Sequence, residues 1–288
     1  MGSLIGQGLV GIALPTVLAL ILNGLVLKAP TLTESRKWPL IGLIVAGCFV
    51  FSYSVIVGSI AFPPREATHW LPFITIGAVV FGSMLQFTGG VARSIVRLIA
   101  ALATAWTVLQ SQLFGRWPLL ISVEWLVAVT LILFATSRLI ERGGAARSTP
   151  TEILLGMALA AGFGAIALFL GGSAILGQIC GAFGLVLAGL AVLTFFLAPA
   201  HLGPIIPLIY VLALGSLLLN GSLFSDLPWP TSGLLWIAPF GVLIGPPATP
   251  LAKNRNVRLL VRGLIVLFVI GLAFVALFLI VQPNSNEY

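Results

Sequence analysis

Apolar residues run along this chain in continuous blocks, each long enough for one membrane crossing and separated by short polar breaks. The blocks do not alternate polar with apolar, as the strands of a membrane barrel do. Ten of them read as helices: 4–27, 39–62, 71–90, 93–113, 118–137, 153–171, 174–197, 202–222, 231–248 and 259–282. At about 1.5 Å per residue, such helices cross a hydrocarbon core of roughly 30 Å. The predicted fold class is all-α: a polytopic transmembrane helical bundle of about ten spans, forming one integral membrane domain over 1–288.

One apolar stretch is too long for a single crossing. No Lys, Arg, Asp or Glu occurs from 153 to 197. As a single helix this stretch would be roughly 67 Å long, about twice what a bilayer accepts. It must fold back, and Gly171-Gly172-Ser173 supplies the turn residues. After it, Gly177 and Gly181 have the small-residue spacing that lets helices approach closely, and packing within the chain is expected there. Thr149-Pro150-Thr151-Glu152 carries the capping-box pattern at the start of span six.

Charge orients the bundle. Lys28, Arg36, Lys37, Arg93, Arg97, Arg138, Arg142, Arg147, Lys253, Arg255, Arg258 and Arg262 all fall on one face of the predicted membrane. The opposite face receives only Arg65 and Arg116. By the positive-inside rule the first face is cytoplasmic. Ten spans then put both termini on the non-cytoplasmic side of a plasma (inner) membrane. Arg255, Arg258 and Arg262 recur at helical spacing and are expected to contact anionic lipid headgroups.

Composition narrows the function classes. The chain has 288 residues, of which 59% are hydrophobic and 7% charged, and its mean hydropathy is +1.17. A soluble domain averages roughly 25% charged residues, so lipid is the expected solvent for the outer surface. The net charge of +7 sits in short loops, with no aromatic-basic platform, and nucleic acid is not an expected partner. Cys48 and Cys180 lie within apolar segments and suggest neither a disulfide nor a metal site. No catalytic or cofactor motif is present, so neither an enzyme nor a cofactor is expected. Membrane lipids are the expected partners, together with an unidentified solute or membrane protein.

The polar loop 138–152 divides the chain into halves, 1–137 and 153–288, of five spans each. An odd span number gives the halves opposite orientations, the geometry of inverted-repeat carriers. Residue echoes accompany it: Cys48 aligns with Cys180, and His69-Trp70-Leu71-Pro72 with His201-Leu202-Gly203-Pro204, at the same offset.

Intramembrane polar groups are the candidates for chemistry. Glu124, in span five, is the single acid placed within the bilayer, where it could carry a proton or bind a cation. Gln110 and Thr107 in span four and Gln178 in span seven could join it around one solute. Interhelical hydrogen bonding accounts for each of them equally. Span nine is short and carries Pro239 at its middle, which makes it the candidate for a broken helix with freed backbone groups, although an ordinary proline kink is the favoured reading.

The architecture resembles that of ten-span, five-plus-five carriers such as the drug/metabolite transporter and auxin-efflux-type superfamilies. Terminal placement suits the second better. The resemblance implies a small secondary carrier, with a non-catalytic scaffold or accessory subunit as the rival. A lipid-modifying enzyme comes third, weakened by the missing catalytic pairs.

Overall fold

A computed structural model describes residues 9–115, 117–197, 199, 201–243 and 254–281. The span ends expected at 4–8, 244–248 and 282, together with Arg116, Lys253 and the 282–288 tail, lie outside the described residues. The chain is a multi-pass helical membrane protein. No strand occurs among the described residues.

Ten helices follow in order: α1 (Leu14–Lys28), α2 (Glu34–Val57), α3 (Leu71–Phe87), α4 (Gly90–Gly115), α5 (Leu119–Arg147), α6 (Pro150–Leu170), α7 (Ala174–Leu197), α8 (Ile205–Phe224), α9 (Trp229–Ile237) and α10 (Arg255–Val281). A π turn, Leu9–Ala13, leads into α1, and a 3-10 turn, Ala67–Trp70, leads into α3. Among the described residues nine of them are long and apolar enough to cross a membrane, α1 and α3 when taken together with the turns that lead into them; α9 is not.

At Pro239 the segment is broken and not merely kinked. The α-helix stops at Ile237, and a 3-10 turn, Ala238–Val242, continues the segment. Its two ends touch opposite ends of the bundle. Trp229 packs on Trp125 near the start of α5, with ring centroids 4.9 Å apart. Ser148, at the other end of α5, donates to the Val242 carbonyl at 3.4 Å. Nine α-helical and five 3-10 residues rise roughly 23 Å, less than a hydrocarbon core. Among the described residues this segment is therefore short and broken.

Several boundaries differ from the sequence reading; α2, for one, ends at Val57 instead of 62. Helix α2 begins at Glu34 instead of 39, with Thr33 as its extended N-cap and Glu34 in its first turn, so Pro39 lies inside the helix. The segment 138–152 is helical except at Ser148 and Thr149. Leu139 and Ile140 continue the apolar pattern of α5, and Arg and Glu are good helix formers. The linker between the halves thus shrinks to two residues.

The fold-back at 171–173 forms as the residues suggest. Gly172 adopts φ +87°, Ser173 donates its backbone N–H to the Leu168 carbonyl, and its hydroxyl accepts from Leu176 N. The resulting α6–α7 pair is very close. A Cβ on Gly177 would lie 2.9 Å from the Ala165 carbonyl oxygen, and one on Gly184 would lie 2.9 Å from the Gly162 backbone nitrogen. Small residues thus set the approach of the two backbones.

Helix α8 is the axis of the bundle. Of its apolar window 94% is buried, against 22% for α1 and for α10. It touches α2, α3, α4, α5, α6, α7 and α9. The pairs α2–α7 and α3–α8 pack together. The outer helices do not follow: α6 lies against α9 and α10, whereas α1 packs on α2 and α7. The halves therefore share a central pairing but not a full set of equivalent contacts.

Candidate functional site

A cleft lies between α3 and α4. Its deeper part, of about 130 Å³, is lined by Phe73, Ile74, Gly77, Phe81, Ala103 and Thr104, with Leu212 of α8 among its other walls. Its outer part, of about 220 Å³, is lined by Arg65, Glu66, Gln110, Ser111 and Phe114, with Pro64 and Ala67. Trp70 and Thr107 line both, so the two parts adjoin. The cleft is apolar inside and carries opposite charges, an amide and a hydroxyl at its mouth.

Sequence explains both zones. Gly58, at φ +100°, ends α2, and the polar segment Pro63-Pro64-Arg65-Glu66 then turns the chain toward α3. The 3-10 turn that follows brings Glu66 and His69 together, with Nε2 4.0 Å from Oε2. On α4, positions 100, 103, 104, 107, 110, 111 and 114 have the i, i+3, i+4 spacing of one helix face, and all seven line the cleft. The Thr104 hydroxyl donates to the Ala100 carbonyl and that of Thr107 to the Thr104 carbonyl, each at 2.9 Å. Both oxygens keep acceptor capacity for a solute.

The structure brings together two of the five candidate site residues. Gln110 and Thr107 line the cleft. Glu124 does not, and its side chain on α5 is exposed. Gln178 is half-buried on α7, and Pro239 is buried, its Cα 3.5 Å from a Cβ built on Gly156 of α6. Neither lines the cleft. Arg65 and Glu66 were not singled out by the sequence; a charged pair beside two prolines on an otherwise uncharged loop was the available signal.

A second group of charges lies at the basic face. Arg93 and Arg97, one helical turn apart on α4, both pair with Glu141 of α5: Arg93 reaches Oε1 at 2.9 Å and Arg97 reaches Oε2. Arg258 and Arg262, one turn apart on α10, both pair with Glu152 of α6. Arg258 Nε lies 2.5 Å from Oε1, and Arg262 reaches Oε2. Both of these arginines, expected at lipid headgroups, are drawn onto Glu152. Arg262 is buried and turned onto Glu152, and Arg258 is about 30% exposed. A buried carboxylate offers two guanidiniums a strong partner that needs no water. Arg255 opens α10, and its side chain lies outside the described residues.

Glu152 also closes the capping box of α6. It accepts from Thr149 N at 2.8 Å, while Thr149 Oγ1 accepts from Glu152 N at 3.4 Å. One acid thus fixes the start of α6 and ties it to α10. Each clamp stays within its own half of the chain: α4 with α5, and α6 with α10.

Nothing among protein-family models, curated proteins or solved structures matches this chain. Its function must be argued from its own geometry.

Proposed function

We propose that the protein is a small secondary carrier whose solute enters through the α3–α4 cleft from the face opposite the basic one. The observation that carries this reading is the cleft itself: a polar mouth leading to an apolar interior that ends on Leu212 of the central helix. A solute held there touches α3 and α4 from one half and α8 from the other. It can therefore favour one arrangement of the halves over another, as transport requires.

Two further features agree with this. The Arg–Glu–Arg clamps stiffen each half without linking one half to the other. The linker between the halves is only Ser148 and Thr149. The membrane is a plasma (inner) membrane in this proposal, with the basic face cytoplasmic.

The rival is a scaffold or accessory subunit with no solute. It is favoured by the exposed position of Glu124, which leaves the bundle without an acid at its centre to couple an ion.

The two readings differ in motion. Spin labels on Ser111, at the end of α4, and Phe224, at the end of α8, report the mouth of the cleft from both halves. Both positions are exposed. With Cys48 and Cys180 replaced by alanine, a carrier in lipid bilayers gives two distance populations in electron-spin distance measurements. One narrow population would support the scaffold.

A further inference from the structure

Four arginines surround one acid where α4 begins and α5 ends. Arg93 and Arg97 hold the two oxygens of Glu141. Arg138 and Arg142 lie three residues before and one residue after Glu141 on α5, at the same level of the bundle. The group therefore carries a net charge of +3. The other clamp, Arg258–Glu152–Arg262, has no comparable excess among its own three residues.

Three observations suggest that this charge serves a ligand. Arg97 is buried, at 4% exposure, yet its Nε has no hydrogen-bond partner among the described residues. The Nε of Arg93 is likewise buried and unpartnered. Arg138 is half-buried and Arg142 exposed, so the charge that Glu141 does not balance is accessible to an anion. The third observation is the setting. Val91 is 77% exposed, Ile95 52% and Leu139 56%. These apolar side chains border the arginines on both helices, where acyl chains would lie.

We propose that the α4–α5 seam binds the headgroup of an anionic lipid carrying two phosphates in the leaflet at the basic face. Arg138 and Arg142 meet the phosphates, and Arg93 and Arg97 add charge from behind. Two phosphates fit because one would leave most of the excess charge unmatched. Arginine forks suit phosphate oxygens, and a basic pocket between helix ends is the usual form of such a site. This inference is independent of the carrier reading.

The test uses the full chain purified in a neutral detergent, titrated with cardiolipin and read by native mass spectrometry and thermal unfolding. Phosphatidylcholine and inorganic pyrophosphate form parallel arms. Cardiolipin is expected to bind at least about tenfold more tightly than phosphatidylcholine and to raise the unfolding temperature. R138Q/R142Q, which leaves the Glu141 clamp intact, should weaken cardiolipin binding about tenfold. R65Q, at the opposite face, should not change it. Equal cardiolipin binding by the wild type and R138Q/R142Q would overturn the proposal. So would binding of pyrophosphate in preference to cardiolipin, which would make the ligand a soluble phosphate instead of a lipid.

Discussion

Replacing Glu152 by alanine is expected to destabilise the protein by about 3–5 kcal/mol, the usual cost of removing one partner from a buried ion pair. The side chain is fully buried, and each carboxylate oxygen holds one arginine. Its loss leaves Arg262 charged beside an apolar interior. It also removes the acceptor for Thr149 N, a capping contribution of about 1 kcal/mol on its own. The Glu152→Gln variant keeps that acceptor but not the charge, and should fall between alanine and wild type. Unfolding in detergent, followed by the loss of helical signal, measures the order. A loss below about 1 kcal/mol for alanine would mean that the arginines find headgroups once freed.

Replacing Gly184 by valine should separate α6 from α7. The new Cβ would meet the backbone of Gly162 and Ala161, at 2.9 and 3.2 Å. Backbone cannot rotate away as a side-chain tip can. Overpacking ordinarily costs about 1–3 kcal/mol, and here the backbone contact puts the expected loss at the upper end of that range or above it. Gly181 is the internal control. A Cβ there lies 3.5 Å from Ala165 Cβ, an ordinary contact, so Gly181→Ala should be close to neutral. Comparable losses at the two positions would show that the α6–α7 contact is looser than the geometry indicates.

The sequence disclosed what depends on near neighbours. The fold-back at Gly171–Ser173, the capping box at Thr149–Glu152 and the close approach at Gly177 each arise from a few adjacent residues. Nine of the spans were legible because hydrocarbon thickness fixes helix length.

Long-range pairing was not legible. Glu152 meets Arg262 across 110 residues of chain, and no local pattern announces that contact. The i, i+4 spacing of Arg258 and Arg262 was visible, but it fits a headgroup as well as a carboxylate. Position along a helix also failed to predict facing. Glu124 and Thr107 both lie within spans, yet Thr107 lines the cleft and Glu124 is exposed. Which side of a helix meets a neighbour depends on the packing of all ten, and an apolar helix buried all round, such as α8, gives no amphipathic signal to read.

The central claim is that the α3–α4 cleft opens alternately to the two faces of the membrane. Thr104, in its deeper part, is the position to probe. The measurement is modification of Thr104→Cys by a small, membrane-impermeant methanethiosulfonate cation, with Cys48 and Cys180 replaced by alanine. It is run in right-side-out and in inverted vesicles. The carrier account predicts modification from both sides. Modification only from the face opposite the basic one would contradict it and leave the cleft a fixed indentation in a scaffold.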